Sequence, residues 1–146
     1  MAGKFKLQSV LNYRQSLEDQ AQQVLAASLQ AYSELEVQLQ QQRQHLQQYD
    51  GELKQRQKEG LTVAEMDLYE SQIQHCCRLI EDFQERLQQL DQQIVLERQD
   101  LLHVARERQV MEKLKDKQET EYRQELSRKE RIMLDEISLR NKGNNS

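Results

Sequence analysis

Residues 66–104 read MDLYESQIQHCCRLIEDFQERLQQLDQQIVLERQDLLHV, and their spacing decides the fold. Apolar side chains fall at Met66, Tyr69, Ile73, Cys76, Ile80, Phe83, Leu87, Leu90 and Ile94, then, past Glu97, at Leu101 and Val104. The steps alternate three, four, three, four, which keeps one narrow stripe in line along a slightly underwound helix. A helix on a globular core shows a wider apolar face, whereas most positions between these residues are Gln, Glu, Asp or Arg. The stripe therefore marks a coiled-coil strand that must lie against another helix.

The chain upstream supplies that helix. Its apolar residues are Phe5, Leu7, Val10, Leu11, Leu17, Ala21, Val24, Leu25 and Ala27, then Tyr32, Leu35, Leu39, Leu46, Tyr49 and Leu53. From Tyr32 onward the same alternation holds, with Gln42 the one polar seam position. Gly51 weakens the helix locally but does not end it. The break falls at Glu59-Gly60-Leu61-Thr62, where Gly60 suits a left-handed cap and Thr62 with Glu65 forms a capping box. A loop this short forces antiparallel neighbours.

The expected architecture is all-α, a long antiparallel two-helix coiled coil with an overhanging C-terminal helix. Its helix 1 covers about 5–58, its turn 59–62 and its helix 2 about 63–140, followed by a disordered tail at 141–146. With the turn at Gly60, facing residues have numbers summing to roughly 121, because both helices rise equally. Leu53 then meets Leu68 and Tyr69, Tyr49 meets Ile73, Leu39 meets Phe83 and Leu17 meets Val104. Beyond Val104 the seam mixes Arg108, Met111, Leu114, Gln118 and Tyr122. At 1.5 Å per residue helix 2 spans about 110 Å and helix 1 about 80 Å, so the last ~20–25 helical residues project alone. A single seam gives marginal stability to the isolated chain.

Composition agrees with long helices. Of the 146 residues 36% are hydrophobic and 32% charged, proline is absent, and Gln is the commonest residue. The net charge is −4, unevenly spread: residues 63–97 carry 2 basic and 8 acidic side chains, residues 98–146 carry 12 and 10. No basic patch interleaved with aromatics argues for nucleic acid. No apolar run approaches a membrane span, and the start Met-Ala-Gly-Lys-Phe-Lys lacks a signal-peptide core, so a cytosolic protein without membrane insertion is expected.

Chemistry finds little purchase. His45, His75 and His103 are scattered, no Gly-rich phosphate loop is present, and two helices offer no pocket that desolvates a reacting group. The run His75-Cys76-Cys77 does not read as a metal site, because consecutive helical side chains diverge. No catalytic residue, metal or cofactor is expected. Glu97 and Arg108 read as register-setting residues, or as solvated or paired across the seam with Arg14 or Glu18. Tyr122 is either a partner contact or solvated. The overhang carries Leu114, Leu126, Ile132, Met133, Ile137 and Leu139, an apolar load that calls for a covering partner or a second copy of the chain.

The opening Phe5-Lys6-Leu7-Gln8-Ser9-Val10-Leu11-Asn12-Tyr13-Arg14, then Leu17, Glu18, Ala21 and Leu25, resembles the start of the bacterial flagellar FliJ family. The break near residue 60, the stretch Tyr69-Glu70-Ser71-Gln72-Ile73-Gln74 and the ending Arg128-Lys129-Glu130-Arg131-Ile132-Met133-Leu134-Asp135-Glu136-Ile137 are similar as well. The resemblance implies a non-enzymatic, stalk-like component of the flagellar type III export apparatus. Its termini-bearing end inserts into the hexameric export ATPase and activates it, and other surface contacts the cytoplasmic domain of the export-gate membrane protein. Export chaperones are further implied partners, and the implied location is cytoplasmic, peripheral to the inner membrane at the flagellar base.

Carried over by position, the ATPase-end residues are Phe5, Leu7, Leu11, Arg14, Tyr122, Leu126, Leu134 and Ile137. The gate-contact residues are Gln38, Gln42, Tyr49, Gln72 and Cys76, among which Gln72 and Cys76 depart from the aromatic or larger apolar residues common on that surface of the family. Two other classes fit a helical hairpin: a general holdase or targeting chaperone, and a structural coiled-coil spacer.

Overall fold

The computed structural model describes residues 6–144. Two helices account for nearly all of them: α1, Gln8–Glu59, of 52 residues, and α2, Val63–Asn144, of 82 residues. They pack against each other, and no strand occurs among the described residues. Helix α1 starts three residues after Phe5, which lies outside the described residues, as do residues 145 and 146 of the expected tail. Helix α2 runs four residues past the expected end near 140. No proline stands in its way, and Lys142 in the last turn suits the negative end of the helix dipole.

The turn follows from its residues. Gly60 has a φ of +102°, a left-handed conformation that costs an L side chain about 1–2 kcal/mol. The backbone N–H of Glu65 donates to Thr62 Oγ1 at 3.2 Å, so the threonine caps α2 as its sequence position indicates. The Glu65 carboxylate goes elsewhere: it accepts from Arg56 at 2.7 Å and ties the two helices beside the turn. Helix α1 passes through Gly51 without a break.

The chain divides into two compact units: residues 21–100 form one, and the residues up to Gln20 with those from Leu101 form the other. In the unit of residues 21–100 the turn joins antiparallel helix segments, with Arg56 paired to Glu65 and Ser28 to Glu97. Ala21, Leu39, Cys76, Leu87 and Ile94 are its buried apolar residues. Half-buried side chains continue the stripe at Leu25, Tyr32, Leu35, Leu46, Tyr49 and Leu53 on α1 and at Met66, Tyr69, Ile73, Ile80, Phe83 and Leu90 on α2.

The other unit packs the start of α1 on α2. Leu11 and Val104 are buried, and Arg14 and Glu18 reach Glu107 and Arg108. The stripe on α2 proceeds through Leu101, Val104, Arg108, Met111, Lys115, Gln118 and Tyr122, each buried or half-buried. Leu114, expected on the seam, is instead 44% exposed, and Lys115 holds the position. The alternation of three and four runs on past Val104, and a lysine lays its aliphatic stem along a seam while its ammonium reaches water. From residue 123 to residue 143 every side chain is exposed.

Candidate functional site

Helix α1 brings polar side chains to its seam at Arg14, Glu18 and Ser28, and α2 answers with Glu107, Arg108 and Glu97. The Arg108 guanidinium pairs with Glu18 across the helices and with Glu112 at 2.7 Å one turn along α2. Hydrogen bonds to Glu112 and then to Glu18 hold its pKa above the ordinary guanidinium value. Glu107 accepts from Arg14 and also lies 3.1 Å from His103.

In the other unit Ser28, itself buried, donates to Glu97 Oε1 at 2.9 Å, and Gln93 donates to the same oxygen at 2.9 Å. Glu97 Oε2 is buried without a hydrogen bond. Glu97 is thus paired across the seam with Ser28 rather than with Arg14, while Arg108 takes Glu18 as the sequence suggested. Polar seam layers of this kind favour one register over its neighbours.

The residues expected at the ATPase end separate into two sets. Leu11, 3% exposed, and Arg14, in its ion pair, are committed to the seam; Tyr122 is half-buried. Leu11 also lines a shallow hollow of about 310 Å³ with Gln15 and Glu119. Leu7, Leu126, Leu134 and Ile137 are exposed, and Phe5 lies outside the described residues. Exposed with them on the last part of α2 are Ile132, Met133 and Leu139.

The expected gate residues also divide. Tyr49 and Gln72 line one hollow of about 340 Å³ together with Leu68, Tyr69 and the Arg56–Glu65 pair. Gln38 lies on a different, wider hollow with Val37 and Gln41 on the outer face of α1. Gln42 is half-buried on the seam and Cys76 is 4% exposed, so neither stands out from the helix pair. Burial, then the neighbouring Cys77 sulfur, pushes the Cys76 thiol above its ordinary pKa. Cys77 is exposed, and the two cysteines are free.

Among the described residues no cluster of His, Cys, Asp and Glu converges as a metal site requires, and no helix is long and apolar enough to cross a membrane. These three hollows are open to solvent. The exposed run of α2 carries six large apolar side chains open to solvent: Leu126, Ile132, Met133, Leu134, Ile137 and Leu139.

Sequence reasoning missed Ser28, Gln93, Glu107 and Lys115 as seam elements. The alternation itself finds two of them: stepping back from Tyr32 by four lands on Ser28, and stepping on from Val104 by four, three and four lands on Lys115, whereas Gln93 and Glu107 lie one residue beside the series.

No curated protein and no solved structure shows detectable similarity to the chain. A family model described as Flagellar FliJ protein matches residues 3–146. With essentially its whole length matched and two long packed helices as its fold, the chain belongs to the flagellar FliJ protein family, a membership that implies a non-enzymatic component of the flagellar export apparatus.

Proposed function

We propose that this protein is the stalk-like activator of the hexameric flagellar export ATPase, docking through the last part of α2 beside the start of α1. The observation that carries the reading is the exposed run 123–143, in which Leu126, Ile132, Met133, Leu134, Ile137 and Leu139 are each about two-fifths or more exposed. On this reading α2 overhangs the start of α1, and its bare apolar residues are covered when a partner closes around them. A helical element inside a ring of six subunits contacts them unequally and biases their nucleotide states by differential binding, with no chemistry of its own.

The same reading assigns the hollow beside the turn, with Tyr49, Leu68, Tyr69 and Gln72, to the cytoplasmic domain of the export gate. A tyrosine there offers an apolar ring and a polar tip to an incoming surface. Export chaperones are engaged as further partners, and the protein sits on the cytoplasmic side of the inner membrane at the flagellar base.

The test is the hydrolysis rate of the purified export ATPase with the full chain, with a chain ending at Gln118, and with the surface variant Leu126→Ser/Leu134→Ser/Ile137→Ser. The full chain accelerates hydrolysis and favours the hexamer; the other two do neither, although the surface variant keeps its helix content. Equal stimulation by all three refutes the docking end. A holdase would instead bind unfolded polypeptide and leave hydrolysis unchanged, and a spacer would do neither.

A further inference from the structure

The two units hold their helices together by different means. In residues 21–100 the seam is mostly apolar, with Leu35, Leu39, Leu46 and Leu53 on α1 all buried or half-buried. In the other unit the seam residues of α1 are Leu11, Arg14 and Glu18, and two of those three are charged. Leu17 lies half-buried beside them.

The start of α1 also has little local support. Its first turn contains no acidic residue to complement the helix dipole, whereas α2 opens on the Thr62 hydroxyl with Glu65 in its first turn. Segments with few buried apolar contacts and weak caps are the ones that open below the global unfolding free energy.

On the α2 side of the firmer pair, opening does not leave the charge alone: Arg108 keeps Glu112 at 2.7 Å one turn away. That second partner lowers the cost of losing Glu18. Glu107, which loses Arg14, is about one-third exposed and is taken up by water. The α1 partners, Arg14 and Glu18, pass into water as the segment leaves.

The geometry points to residues 8–20 being a detachable arm, held on α2 by an electrostatic latch of Arg14–Glu107 and Glu18–Arg108. Its release frees Leu11 and Leu17 and uncovers the face of α2 that carries Met111 and Lys115. The latch is salt-sensitive, because Arg14 and Glu107 are each about one-third exposed and their attraction is screened by mobile ions. Glu18 and Arg108 are less exposed and form its firmer half. The inference does not depend on which partner the protein serves.

Amide hydrogen exchange on the full chain tests it, comparing peptides that cover 8–20 with peptides that cover 35–53, from about 0.01 M to about 1 M salt. The arm exchanges faster than 35–53 at low salt and accelerates a further three- to tenfold, roughly, at high salt, while 35–53 does not change. Glu18→Gln, which removes one half of the latch without adding a like-charge pair, gives faster exchange of the arm at low salt and a smaller further gain at high salt. Equal protection of both segments, equal acceleration in both, or no effect of Glu18→Gln overturns the latch. The salt comparison uses the unaltered chain, so it stands even if a variant fails to fold.

Discussion

Replacing the Ser28–Glu97 pair by apolar residues should stabilise the protein, although replacing one partner alone should weaken it. Glu97 Oε1 accepts two hydrogen bonds, from Ser28 and Gln93, but Oε2 is buried with none. A buried polar atom left unsatisfied costs about 1–3 kcal/mol. Ser28→Ala removes a donor from the carboxylate and leaves that cost in place, for a loss of about 1 kcal/mol. Ser28→Ala with Glu97→Leu removes the orphaned oxygen and its partner together. Burying about half of a leucine side chain at this seam position adds roughly 1 kcal/mol, and the lost Ser28 hydrogen bond subtracts a similar amount. Those two terms cancel, so the net gain is the relief of the unsatisfied oxygen, about 1–3 kcal/mol, in line with apolar replacement of other buried charged groups. Urea unfolding followed by helical circular dichroism gives the midpoints at constant slope. A double variant less stable than the parent by about 1 kcal/mol or more would show that the polar layer is a net stabiliser and refute the reasoning.

Glycine substitutions should have opposite signs inside α1 and at the turn. Gly51→Ala, in the interior of α1 with nothing within 4 Å of an added Cβ, should stabilise by about 0.5–1 kcal/mol, read from the same urea midpoint. Gly60→Ala should destabilise by about 1–2 kcal/mol, because the φ of +102° is strained for alanine even though the space is open. Thr62→Ala should cost about 1 kcal/mol through loss of the α2 cap, with faster amide exchange at Glu65 as a local readout. In alkylation followed by mass spectrometry, Cys77 should react first and buried Cys76 only slowly. The raised Cys76 pKa makes the folded thiol harder to ionise than the unfolded one. Its stabilising contribution is therefore full below the ordinary value of 9.0 and lost as pH climbs through the folded value, and Cys76→Val should remove that alkaline sensitivity.

Helix α2 was legible because its seam from Met66 to Ile94 is apolar at every step, so period and burial carry the same message. The seam of α1 was legible only from Tyr32 onward. Before that, Ser28, Glu18 and Arg14 occupy seam positions, and apolar residues such as Val24 stand off the seam, so hydrophobicity alone blurs the period. The same confusion put Leu114 on the seam in place of Lys115. Continuity of phase along an unbroken helix is the better guide there, because a slip in register would cost every pair downstream. Thr62 announced itself as a cap, and the register that sets Leu53 opposite Leu68 also sets Arg56 opposite Glu65, whose carboxylate takes that partner instead of closing the capping box. The exposure of the last part of α2 was legible too, because the break at Gly60 makes the second helix longer than the first; Leu126, Ile132, Met133, Ile137 and Leu139 are all exposed.

The most direct measurement is site-specific photocrosslinking from Leu134 and Ile137 on the exposed part of α2, with Val37 on the outer face of α1 as the reference position. Mixed with the purified hexameric export ATPase, probes at 134 and 137 should crosslink to it and the probe at 37 should not. Crosslinking from 37 with none from 134 or 137 would contradict the account.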